Sequence, residues 1–219
     1  MELLDFARGP ALQIAVAVFA AGTLWRLAGI LLLPRLRDRS PARTGAPSKA
    51  AGMLYTILRR LWPRAAFAQA TRFATLNGYV FHIGLAVVVF GLAPHILFLR
   101  SLLGIAWPAL PSNVVYAVGV ITLASLLAAL ARRLTHPVLR LLSGPTDHLS
   151  WLVTVLPVAT GLLATSHLGA RYETLFSIHL LSVCALLVWF PFGKLMHAIL
   201  FAFSRGATGI RFSHRGVSV

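Results

Sequence analysis

Long apolar runs separated by short basic connections set the pattern of this chain. A helix needs about 20 mostly apolar residues to cross the hydrocarbon of a bilayer. Five stretches approach or exceed that length, at residues 11–33, 77–99, 114–131, 149–168 and 174–203. The pattern predicts an all-α fold: an integral membrane bundle of five transmembrane helices, in a single domain over 1–219. Pro94, Pro157 and Pro191 fall inside or near the ends of these runs and predict kinks. The fifth run contains Lys194, so its last turns are expected to project past the hydrocarbon. No internal repeat is visible, which argues against a transporter built from duplicated halves.

Composition narrows the class. Apolar residues make up 58% of the chain and charged residues 11%, against roughly 25% charged in an average soluble domain. So few charges cannot cover a soluble globule of this size, and so much apolar matter excludes disorder. The net charge of +15 would suggest nucleic acid in a soluble protein, but here the basic residues sit between apolar runs. Nine Lys and Arg lie in 34–74, three between the third and fourth runs and three in the tail 204–219, whereas the opposite connections hold Arg8, Arg100 and Arg171. The excess of basic residues on the cytoplasmic side then places the N-terminus outside and the C-terminus in the cytoplasm of a bacterial inner membrane. The first run reads as a retained span, because a signal peptide would be shorter and have a basic flank. Within the basic loop, residues 52–74 alternate apolar and basic, as an amphipathic surface helix broken at Pro63 would, or a docking surface for a cytoplasmic partner. The single cysteine, Cys184, excludes an intrachain disulfide and a cysteine-ligated metal cluster.

The candidate chemistry lies in the histidines. His82, His95, His179 and His197 fall within the expected spans, where a polar side chain is costly and marks function by default. Depth sorts them into pairs: His82 with His197 toward the inner leaflet, His95 with His179 toward the outer. Two histidines from antiparallel helices at matching depth can grip a haem iron from both sides. In one straight helix, His179 and His197 are 18 residues apart, five turns, so they share a face about 27 Å apart. His82 and His95 are 13 apart and share a face only if Pro94 swings His95 round. Side chains lean toward the helix N-terminus, so the residue four before each histidine lies beneath its ring. For three of the four this is glycine, Gly78, Gly91 and Gly193, which would let a macrocycle approach the backbone. His167 is a reserve ligand for the outer site. Arg26 and Lys194 are candidates to hold the inner propionates, with snorkelling to headgroups as the alternative. The expected spans contain no Asp or Glu, which argues against a carboxylate proton relay.

Several segments together are similar to a known family. "GTLWRLAG" in the first run, "VFHIGLAVVVFG" in the second, "RRLTHPVLRLLSGPTDHL" before the fourth and "IHLLSVCALLVWFPFGKLMH" in the fifth resemble the gamma subunit of respiratory nitrate reductase. Its relatives include sulfite-reductase-linked and heterodisulfide-reductase-like membrane cytochromes. The resemblance covers about residues 11–205 and implies a five-span cytochrome b with two haems b. It assigns His82 and His197 to the inner haem and His179 to the outer one. The nitrate reductase pattern sets the fourth ligand ten residues after the first, where this chain has Leu92; His95 is the substitute three residues on. The family's lysine near its quinol site has no counterpart in 100–113, which offers only Arg100.

The resemblance further implies the cytochrome b subunit of a multi-subunit quinol-linked oxidoreductase, with no stand-alone catalysis. Its partners would be quinol or quinone, membrane lipids and cytoplasmic iron–sulfur or catalytic subunits, and no nucleic acid. A haem-free membrane scaffold or assembly protein and a small permease are the competing readings.

Overall fold

The computed structural model describes residues 2–34, 39–166 and 169–217. Arg35, Arg37 and His167 lie outside the described residues. Among these residues the chain is all-helical, without strands, and five helices are long and apolar enough to cross a membrane.

The first of them runs over Glu2–Leu31 and so begins well before the expected boundary. It comprises α1 (Glu2–Phe6), a π turn over Ala7–Ala11 containing Pro10, and α2 (Leu12–Leu31). A short helix α3 (Lys49–Arg59) follows, its first turn capped by Ser48 through Ala51 N at 3.2 Å. The chain turns at 60–64, around Pro63, and re-enters helix as α4 (Ala65–Gly91). The expected surface helix over 52–74 is therefore two pieces, and residues 65–74 are the foot of the second span.

α4 stops at Gly91, eight residues short of the expected end of the second span. Leu92 is extended (φ −80°, ψ 129°), and a separate helix α5 (Ala93–Leu103) begins with Pro94 in its first turn. Ending a helix frees its last four carbonyls, and three of them find donors here. Val88 O takes His95 Nδ1 at 2.8 Å, Phe90 O takes the Trp107 indole at 2.6 Å, and Gly91 O takes Leu110 N at 2.9 Å. The loop 104–111 thus folds back to cap the break.

α6 (Ser112–Thr135) and α8 (Pro145–Ser166) form the third and fourth spans, joined through α7 (Pro137–Leu142). α8 stays helical through Pro157, and it starts early enough to bring Asp147 into its first turn. α9 (Tyr172–Trp189) is the fifth span. It does not continue to 203. Pro191 breaks it, Gly193 is extended, Lys194–Met196 form a single 3-10 turn, and α10 (His197–Arg215) sets off separately. Lys194 is therefore in a turn, and the argument that His179 and His197 share one helix face falls with the continuous helix.

Packing joins the spans in the order α2, α9, α8, α6, α4. Many buried positions are small, among them Ala15, Gly22, Gly84, Gly119, Thr122, Ser125, Ser150, Ser177 and Ser182, beside a cluster of Leu126, Val155 and Val158 between α6 and α8. Large apolar side chains such as Leu24, Trp25, Ile83 and Val120 point outward. That inversion of a soluble core is what lipid allows, because lipid solvates leucine as well as another helix does. Gly84 lets α4 lie directly on Thr122 of α6. Toward the foot of α4 from the Gly84–Thr122 contact, Ser125 Oγ donates toward Asn77 O and Oδ1, while Asn77 Nδ2 donates to Ser125 O. On α2, Gly22 gives Pro191 its seat. α3 packs against α10 where Gly52 and Thr56 meet Gly209 and Met53 meets Gly206.

Candidate functional site: two histidine pairs across α4 and α9

α4 and α9 do not pack along their lengths as the other neighbouring spans do. Histidines reach across between them and their extensions. His82 on α4 meets His197 at the start of α10, with ring centroids 6.0 Å apart and planes at 88°. His95 on α5 meets His179 on α9 at 6.2 Å, with planes at 20°. The structure thus brings together both pairs expected from depth.

The elements explain the geometry. His82 is held by its Nδ1 on the carbonyl one turn below, Gly78 O, at 2.7 Å. His197 is held on Lys194 O at 2.8 Å, which the break after α9 exposes. His95 is held on Val88 O. Val88 is the residue one turn below position 92, so His95 takes the seat that a histidine at 92 would have on an unbroken helix. The break at Leu92 carries it there. The anchoring carbonyls Gly78 O and Val88 O are ten residues apart on α4, about 15 Å along the axis. The two pairs are therefore closer together than the 27 Å expected from a continuous fifth helix.

His179 is seated differently. Its Nδ1 faces the hydroxyl of Thr160 on α8 at 3.3 Å, and Ser182 Oγ lies 3.0 Å from the same hydroxyl. Gly161, beside Thr160, leaves room for the ring: a Cβ there would come within 3.1 Å of His179 Cε1. Thr160, Gly161 and Ser182 give no signal in the sequence, because residues that back a histidine from a neighbouring span have no fixed spacing to it.

The three candidate glycines divide. Beside Gly78 a Cβ would meet nothing within 4 Å, so the α4 surface under His82 is open. Beside Gly91 the space is taken by Leu110, and beside Gly193 by the Trp189 indole. Those two glycines serve close packing at the two helix breaks, not an approach to the histidines.

Two clefts flank the inner pair. One, of about 410 Å³, runs along α4 past Thr71, Thr75, Gly78 and His82 and is closed by Trp62 and Tyr79. The other, of about 610 Å³, has His197, Phe192 and Met196 on its walls and Arg26, Lys194 and Arg205 at its rim. Lys194 is committed elsewhere, since its Nζ bonds Asp147 Oδ1 at 2.6 Å. Arg133 reaches the same oxygen at 3.1 Å, and Gly144 N donates to Asp147 Oδ2 at 3.1 Å. No carboxylate pairs with Arg26 or Arg205 among the described residues. Of the two propionate candidates, Arg26 is the one with its charge unmatched.

No family model and no solved structure matches the chain. A protein of Nitratidesulfovibrio vulgaris (strain Hildenborough) is 30% identical over 213 residues, covering 95% of this chain and 92% of its own. This chain belongs to the family of that protein. The similarity runs through nearly the whole of both chains, so the two are related along their length and not by a shared short motif.

Asp147 ties this family member's α8, α6 and the turn before His197 together. Asp147→Asn removes the charge that holds Lys194 and Arg133 in place. The pair with Lys194 is half open to solvent, so the expected cost is modest, about 1 kcal/mol. It should appear as a lowered thermal midpoint in detergent, and Asp147→Glu should recover part of it.

Proposed function

We propose that this protein is a di-haem membrane cytochrome b, similar to the nitrate reductase gamma family. It would pass electrons between quinol or quinone in the bacterial inner membrane and a cytoplasmic iron–sulfur or catalytic partner. The observation that carries the reading is the meeting of four histidines as two pairs, each joining one on a helix long enough to span the membrane (His82, His179) to one on the helix beyond a break (His197, His95). Two imidazoles held end-on to one metal by bonds of about 2.0 Å have ring centres about 6.3 Å apart. The pairs here stand at 6.0 and 6.2 Å. Each site offers two protein ligands, and no group of three or more His, Cys, Asp or Glu comes together among the described residues. Two ligands are too few for a structural zinc site but suit a metal that brings its own equatorial ring.

Haem b held by two histidines supplies reversible one-electron chemistry, with no open position for oxygen. The protein's part is to hold, orient and insulate. Backbone carbonyls on the Nδ1 atoms of His82, His95 and His197 fix the rings, and leave Nε2 as the metal-binding atom. The Thr71–Thr75–Gly78 face of α4 would give a flat macrocycle a surface of small side chains, and Arg26 would hold a propionate. The excess of basic residues at the foot of α4, the α6–α8 connection and α10 supports a cytoplasmic C-terminus and an outer N-terminus. Quinol would then dock near the outer pair, and the partner near α3 and α10.

Purified protein should show b-type bands in a reduced-minus-oxidised spectrum, with a pyridine haemochrome ratio near two per chain. Colourless protein from a haem-replete host would end this reading. The ring planes give a sharper prediction. Near-parallel imidazoles split the iron orbitals they overlap, and perpendicular ones leave them nearly equal. Electron paramagnetic resonance of the oxidised protein should therefore contain two low-spin ferric signals. The His82/His197 signal should be the more anisotropic, and it should vanish in His197→Leu.

A further inference from the structure

Three of the four paired histidines donate Nδ1–H to a backbone carbonyl at 2.7–2.8 Å. His179 alone has a hydroxyl, Thr160 Oγ1, at the longer distance of 3.3 Å. Thr160 has a single proton, and Leu156 O, one turn below at 2.6 Å, is its nearest acceptor. Its lone pairs are then left for His179. Ser182 Oγ donates to His179 O at 2.7 Å and packs 3.0 Å from Thr160 Oγ1, where its bulk limits the positions that hydroxyl can take. Gly161 keeps the ring close, because any side chain there would push the imidazole off α8.

The acceptor opposite Nδ1 sets how strong a ligand the other ring nitrogen is. A good acceptor draws the proton, enriches the ring in electrons and favours the ferric state; a poor one does the reverse. We propose that Thr160 is a positioning residue that gives His179 a weaker acceptor than the carbonyls on the other three histidines, so that His179 is the weakest of the four haem ligands and the outer midpoint lies above the value a carbonyl partner would set, though below the value with no acceptor at all. This rests on the di-haem reading above. The tuned event is a one-electron reduction at the iron. Nδ1 keeps its proton in both states, and the electron comes from the reductant used.

The test is a mediated redox titration of purified protein, in which the outer component is the one that disappears in His95→Leu. In Thr160→Val, which keeps the shape and removes the acceptor, the outer midpoint is expected to rise while the inner one stays put. Thr160→Ser should leave both unchanged. Ser182→Ala, which only loosens the hydroxyl, should move the outer midpoint less and in the same direction. A Thr160→Val protein that keeps two haems per chain but has an unmoved or lowered outer midpoint would overturn the proposal and leave the di-haem reading intact. If Thr160→Val does not assemble, Ser182→Ala decides the matter by the same criterion. Absence of haem from the unaltered protein would instead sink the reading beneath it.

Discussion

His197→Leu is expected to halve the haem content, from near two per chain to near one, and His82→Leu to do the same. Each removes one of the two imidazoles of the inner pair. A single histidine leaves an axial position to water or to nothing, and the b-type bands assigned to that site should vanish together. The helices should survive both changes. His82 and His197 are both exposed on the protein surface, and each anchors only a local carbonyl, so about 1 kcal/mol of hydrogen bonding is at stake. Normal yield and thermal midpoint with one haem lost would separate ligation from folding. A doubly substituted His82→Leu/His197→Leu protein should lose no more haem than either single change. An additive loss, down to none, would mean that the four histidines do not divide into the pairs that the ring distances indicate.

The pairing was legible in the sequence because it depends on depth alone. Four histidines inside apolar runs must be placed by their distance from the ends, and alternating helix directions fix which ends match. What the sequence hid is where the helices stop. Leu92 carries no breaking signal of its own. The break there is stabilised by Trp107 and Leu110, which arrive from beyond α5 to take up freed carbonyls, and long-range capping leaves no local trace. Pro191 was visible, but whether a proline kinks a helix or ends it is settled by its surroundings. Pro157 leaves α8 intact, whereas Pro191 sits buried against Gly22 of α2 and the chain beyond it turns away. The glycines show the same limit. Offset from a histidine picked out three, and only Gly78 faces open space; Gly91 and Gly193 are there because Leu110 and Trp189 press on them.

His95 carries the second large prediction, because its position departs from the ten-residue spacing of the family that the chain resembles. His95→Leu should remove the outer haem and leave the inner one, again taking the ratio from near two to near one. It also strips Val88 O of its donor at the end of α4, so a loss with misfolding is to be distinguished from a loss of ligation. His95→Gln makes that distinction. A glutamine amide can still donate to Val88 O and keep the helix end capped, but it is a poor iron ligand, so it should lose the haem yet melt at a higher temperature than His95→Leu. Adding Leu92→His to His95→Leu should not restore the site. Leu92 is buried and its backbone is extended at the break, so a histidine there is not carried on a helix face above Val88 O. Rescue by Leu92→His would mean that α4 runs on unbroken when a histidine asks it to. Retention of both haems in His95→Leu would take His95 out of the ligand set and turn attention to His167.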